Sequence, residues 1–154
     1  MTLTAKLLQA AELSGTDNVL IVGAATGYVA ALAARLAGKV TATETDAALC
    51  AKGTKAISNA GLTNVTFRTA EAAAGDSADA PYDAIVLNGA TEIMPDKLCG
   101  QLNDGGRLVG VFANRNPSRA MIVTRSHNDL GHRILFDAVA PVLPGLERVP
   151  AFIF

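Results

Sequence analysis

The chain has 154 residues, half of them hydrophobic, 18% charged and only 5% aromatic, which fits one domain able to bury roughly 70% of its extended surface. Its 13 basic and 14 acidic residues leave a formal charge of −1, and neither half of the chain carries the positive field that backbone-driven nucleic-acid binding requires. No apolar run reaches about 18 residues and the N-terminus lacks the basic-then-apolar order of a signal peptide, so a cytoplasmic protein without membrane or nucleic-acid partners is expected.

Residues 4–12 place Leu7, Leu8 and Ala11 at helical spacing, closed by Gly15. NVLIVG at 18–23 is a short apolar strand. AATGYVAALAARLAGK then repeats Val29, Leu32, Ala33 and Leu36 on one face, so the period changes from strand to helix across one glycine-containing turn. KVTATE at 39–44 is the next strand, Asp46 is placed to cap a helix running through about Asn59, and Asn59–Leu62 is its stop. NVTFRT at 64–69 alternates as a third strand, AEAAAG is a short helical turn or loop, and DSADAP at 76–81 is expected to be a surface loop.

YDAIVLNG at 82–89 is too uniformly apolar to be solvated on one face and predicts a central parallel strand. Pro95 opens a helix over PDKLCGQL, Asp104–Gly106 forms a turn, and RLVGVF is a strand. RAMIVTRS at 119–126 and GHRILFDA at 131–138 are too close for a crossover helix and must pair as an antiparallel hairpin. Pro141, Pro144 and Pro150 break up a tail whose closing AFIF is expected to dock on the sheet. Strands alternating with helices over residues 1–154, with no repeat or linker, indicate a single doubly wound α/β domain.

The loop Gly23, Ala24, Ala25, Thr26, Gly27 joins the first strand to a helix, which puts free backbone N–H groups and a helix N-terminus at the carboxyl edge of the sheet. Ligands of open α/β sheets bind at that edge. Gly23 permits the turn and Gly27 a close approach of the helix to sheet or ligand. GAATG is neither a P-loop nor a complete GxGxxG dinucleotide fingerprint. Glu44 ends the second strand, where a carboxylate can accept from a ribose diol. Glu71 follows the third strand at an equivalent depth, within reach of a base amino group.

Cys50 and Cys99 form no CxxC pair or disulfide framework and are expected to be reduced and partly buried. His127 and His132 lie on or beside the late hairpin, away from the loop, and with the cysteines give no metal-ligand spacing. The histidines are therefore expected to be surface or structural residues, and no catalytic acid, base or metal ligand is assigned. Arg107, Arg115, Arg119, Arg125, Arg133 and Arg148 tint the last third basic. Solvated strand edges and a patch for an acidic partner both remain open.

With the loop, Glu44 and the hairpin in place, the sequence resembles the class I methyltransferases that use S-adenosylmethionine, and within them the protein-L-isoaspartate O-methyltransferase family. The stretches that carry the resemblance are VLIVGAATGYVAALAARLAGKVTATE, LTNVTFRTAE, APYDAIVLNGATEIMP, QLNDGGRLVGVF and FDAVAPVLPGLERVPAFIF. It implies a mostly parallel seven-stranded Rossmann-like sheet of order 3-2-1-4-5-7-6, strand 7 antiparallel, and methyl transfer to a protein or peptide carboxylate. Gly23, Ala24, Ala25, Thr26 and Gly27 would then line the methionine portion of S-adenosylmethionine, or of its product S-adenosylhomocysteine. Glu44 and Thr45 would border the ribose, Glu71 the adenine amine, and Asn88 and Gly89 the sulfonium and the substrate.

Three positions depart from the family pattern. Ile21 stands where an acid usually precedes the loop, Ala25 replaces the middle glycine, and Ala70 replaces the glycine before the adenine-site acid. Ile21 offers no charge or acceptor, and Ala25 disfavours the left-handed conformation by roughly 1 kcal/mol. The family's N-terminal segment, which covers the cofactor and helps form the substrate pocket, is expected to be absent. Two readings stay open: a cofactor-binding methyltransferase core, completed by a homodimer or a lid-supplying partner, and a degenerate binding or structural module. A nicotinamide-dependent reductase fits the loop and Glu44 but not the late hairpin.

Overall fold

Seven strands form one sheet in the order β3-β2-β1-β4-β5-β6-β7 in a computed structural model that describes residues 2–150. In chain order the elements are α1 (Leu3–Ala11), β1 (Asn18–Val22), α2 (Tyr28–Ala34), β2 (Lys39–Glu44), α3 (Ala47–Asn59), β3 (Val65–Thr69), a 3-10 turn (Ala72–Ala74), β4 (Tyr82–Thr91), α4 (Asp96–Cys99), β5 (Leu102–Phe112), β6 (Arg119–Ser126) and β7 (Asp129–Asp137). Among the described residues no helix is long and apolar enough to cross a membrane. Thr2 and Asp46 cap α1 and α3, and the Asp46 carboxylate accepts from both Ala48 and Leu49 N–H.

β1 to β5 are parallel, as the alternation of strand and helix predicts. The order of the last two strands differs from the family expectation. β6 lies antiparallel beside β5, and β7 occupies the edge, antiparallel to β6. The six residues 113–118 between β5 and β6 are too few for a crossover, so β6 can only fold straight back onto β5. The two-residue turn at His127 and Asn128 then places β7 outside it. The predicted hairpin is present, and β6 is the strand that runs against the rest.

Two cores flank the sheet. Val19, Ile21, Val40, Ala42, Ala84 and Val86 face α1 to α3, while Leu20, Val22, Ile85, Leu87 and Leu108 face the 3-10 turn, α4 and the tail. Every second residue of each central strand changes side, as the two-residue period of a strand dictates. Cys50 and Cys99 are buried free thiols in α3 and α4, and burial with the nearby Asp96 pushes the Cys99 thiol up to about 11. The Asp104–Gly106 turn lies inside β5 as an irregularity against β4. Within the described residues the tail docks through 141–146; AFIF lies outside the described residues. Val142 bridges Ala90, and Leu143 and Leu146 are buried.

The 76–81 segment is a clasp of charges more than a solvated loop. One Arg68 nitrogen donates to Asp76 (2.6 Å) and Asp79 (2.7 Å), Lys39 donates to Asp79 (2.8 Å), and the buried Tyr82 hydroxyl donates to Asp76. Lys39 and Arg68 hold the Asp79 carboxyl below its ordinary value of 3.8, so its stabilisation is complete above that pH and is lost as pH falls through the lowered value. Asp79→Asn should therefore lower stability near neutral pH by about 1 kcal/mol, roughly 2–4 °C in Tm. The gap between variant and parent should close as pH falls through the lowered value and the Asp79 carboxylate is protonated. Thermal melts across pH check this, and a gap unchanged at the acid end would show that charge pairing contributes nothing here.

Candidate functional site

The carboxyl ends of β1, β2, β3 and β4 bring Gly23–Gly27, Glu44, Glu71 and Asn88 to one edge of the sheet. The loop is held from β2. Gly23 and Ala24 N–H both donate to the Thr43 carbonyl (3.0 and 2.9 Å), Gly27 N–H donates to Ala24, and Ala25 N–H donates to Glu44 Oε1 at 2.8 Å. The loop N–H groups that the sequence leaves free for a ligand are thus largely used inside the protein.

Ala25 is left-handed (φ 50°) between Gly23 (φ 76°) and Gly27 (φ 95°). The conformation expected of a glycine is kept at this alanine, and its bond to Glu44 offsets the strain of about 1–2 kcal/mol. At Gly27 it is the left-handed backbone (φ 95°) that calls for glycine, since a Cβ there would meet Gly53 of α3 and the Phe67 ring at an ordinary contact distance of 3.4 Å. Ala24 is buried among the α1–α3 core and Thr26 is exposed. Ile21 is wholly buried on the same side as Ala24, where its side chain adds to the α1–α3 core.

Glu44 is half-buried, and its second oxygen accepts from Asp46 N–H at 2.9 Å. Each carboxylate oxygen therefore takes one backbone N–H and keeps a second lone pair. A ribose diol fits that remaining capacity. The Glu44 carbonyl accepts from Ala70 N–H (3.1 Å), and the Thr45 hydroxyl donates to the Ala70 carbonyl (3.4 Å). This ties the ends of β2 and β3 together and leaves the Glu71 side chain exposed beside them. Asn88 Nδ2 donates to the Gly23 carbonyl at 3.0 Å and locks the end of β4 to that of β1.

The sequence reading missed the tail's place in this site. Leu143 N–H donates to the Ala90 carbonyl, Ala90 N–H donates to Pro141, and Glu92 N–H to Leu146. A Cβ on Gly23 would lie 2.6 Å from Leu143 Cδ2, and one on Gly89 2.8 Å from the same atom. The Leu143 side chain thus fills the space over the two glycines expected to border the methionine portion and the sulfonium, while Gly145 runs beside Glu71. The adenosine half of S-adenosylmethionine fits the residues present. Its methionine half, if placed over Gly23 and Gly89, would meet the Leu143 side chain. Val142, Leu143 and Leu146, an apolar group between prolines, carried the available signal.

The fold is that of the Rossmann-like class I methyltransferases. It superposes on a solved protein-L-isoaspartate O-methyltransferase with a TM-score of 0.87 at 22% identity, covering 94% of this chain and 48% of that one. A Plasmodium falciparum structure, described as a putative protein-L-isoaspartate O-methyltransferase in complex with S-adenosyl-L-homocysteine, gives 0.73 at 18% identity, covering 92% and 71%. The sequence model of the family described as Protein-L-isoaspartate(D-aspartate) O-methyltransferase (PCMT) matches residues 1–139, and the chain belongs to that family. Protein-L-isoaspartate O-methyltransferase 1 of Rhodopseudomonas palustris (strain HaA2) is 38% identical over 128 residues, 82% of this chain and 52% of the relative. The Roseiflexus sp. (strain RS-1) enzyme is 33% identical over 153 residues, 96% and 70%. The chain spans little more than half the length of most such relatives.

Proposed function

We propose that the chain binds S-adenosylmethionine, or its product S-adenosylhomocysteine, at the carboxyl edge of β1 to β4 and serves methyl transfer to a carboxylate of a protein or peptide. The carrying observation is Glu44, which holds the Ala25 N–H while keeping an open lone pair on each oxygen. When bound, the cofactor supplies an electrophilic methyl group on a sulfonium. A carboxylate is already a nucleophile, so the chain's own task is alignment and exclusion of water, with no side chain required to remove a proton. Glu44 orients the ribose, Glu71 accepts from the adenine amine, and the Asn88–Gly23 bond keeps the two strand ends from separating. Water exclusion calls for a cover over this edge, and a lid-supplying chain or a second copy of this one is the partner we assign to it.

A second reading, a non-catalytic module, is favoured by one observation, the Leu143 side chain seated on Gly23 and Gly89. Calorimetry with S-adenosylmethionine and S-adenosylhomocysteine separates the two. Binding at or below about 100 μM, roughly −5.5 kcal/mol, is expected. No heat at millimolar ligand, with an unchanged Tm, would overturn the first reading and leave the module.

A further inference from the structure

The structure sorts the arginines that composition left undivided. Arg107 is spent on the carbonyls of Ala11, Asp83 and Glu12 and on Asp17, and Arg125 on those of Gly100, Leu102 and His127. Arg133 pairs in register with Ile122, whose side chain packs on the α1–α3 side. Arg115 and Arg119 are different. Together with His132 they rim a groove of about 200 Å³ on the opposite side of the sheet, floored by Phe112, Met121 and Ile134. Arg119 has a loose partner, Asp137 at 3.5 Å with both side chains well exposed, and Arg115 has no ion pair among the described residues. Arg148 adds a third cation next to the rim, donating to the Asn114 carbonyl at 3.2 Å.

The groove lies at the carboxyl end of β5, the neighbour of β4 in the sheet. Phe112 pairs with Thr91, and Ala113 N–H donates to the Thr91 carbonyl at 2.8 Å. Asn88 lies three residues back along β4, across the register shift between Val86 and Ala90, so at most about 10 Å away at the rise of a strand. A peptide whose reacting carboxylate sits near Asn88 therefore reaches the groove with its third or fourth neighbouring residue.

We propose that this groove holds an acidic flank of the peptide substrate, with a carboxylate on Arg115 and Arg119 and an apolar side chain against Phe112, Met121 and Ile134. The inference rests on the methyl-transfer reading for its substrate class. Two exposed guanidiniums suit a carboxylate, which each can grip with paired N–H donors, and the weak Asp137 contact is displaced at little cost. The acid is expected three or four residues from the methylated position, and neutral peptides bind less well.

Fluorescence anisotropy with labelled isoaspartyl peptides tests this, comparing Asp or Glu against Asn or Gln at the third and fourth neighbouring positions. The acidic peptide should bind at least tenfold more tightly, with the advantage shrinking at high salt. Arg115→Ala with Arg119→Ala should abolish that advantage while leaving S-adenosylhomocysteine affinity within about twofold. Arg119→Gln, which keeps most of the side-chain stem, should lose part of it. Equal binding of acidic and neutral peptides, an advantage that survives in the double variant, or no peptide binding at millimolar concentration overturns the proposal. An arginine-dependent preference for acid in a chain that takes no S-adenosylhomocysteine would leave the groove standing and remove the cofactor reading.

Discussion

Leu143→Ala is expected to weaken the fold and strengthen cofactor binding at the same time. The leucine is 9% exposed, and truncating such a side chain costs about 2–4 kcal/mol through lost burial and a residual cavity. The Tm should fall by several degrees. The strap itself remains, since its bonds to Ala90 and Glu92 run through backbone atoms. What the alanine removes is the group seated over Gly23 and Gly89. If the methionine end of the cofactor must lie there, binding to the parent chain requires Leu143 to leave its site, and exposing a leucine costs about 1.5–3 kcal/mol. Affinity for S-adenosylhomocysteine should accordingly rise about tenfold or more in the variant. Adenosine alone should bind parent and variant alike, because Glu44 and Glu71 are untouched. An unchanged affinity for S-adenosylhomocysteine would mean that Leu143 does not stand in the ligand's path.

Local patterns carried most of the fold. The change of period across Gly23–Gly27, the Asp46 cap and the continuous apolar run of β4 each report on a few adjacent residues, and each was legible. The same holds for Glu44, Glu71 and Asn88, because a residue at the end of a parallel strand is at the ligand edge wherever the helices lie. Contacts between distant segments were not. The tail reaches β4 across some fifty residues of chain, and nothing in Val142–Leu146 says which strand end it will cover. The strand order at the sheet's edge was available in principle, since six residues cannot make a crossover, but the family expectation overrode that local geometry.

Glu44→Ala should have the largest effect on ligand binding, and the difficulty is to separate its two tasks. The carboxylate holds the Ala25 and Asp46 N–H groups, so its loss leaves a partly buried donor unpaired at a cost of about 1–3 kcal/mol. Under the proposed function it also removes the acceptor for the ribose, and affinity for S-adenosylhomocysteine should fall at least fiftyfold. A drop in affinity by itself could reflect a collapsed loop. Ala25→Gly resolves this. At φ 50° a glycine is relieved of strain worth roughly 1 kcal/mol, so placing it in the Glu44→Ala background should restore much of the lost stability without returning the acceptor. Denaturant melts should then show recovery where calorimetry shows none. If affinity recovers together with stability, Glu44 acts only by shaping the loop, and the ribose contact must be assigned to another group.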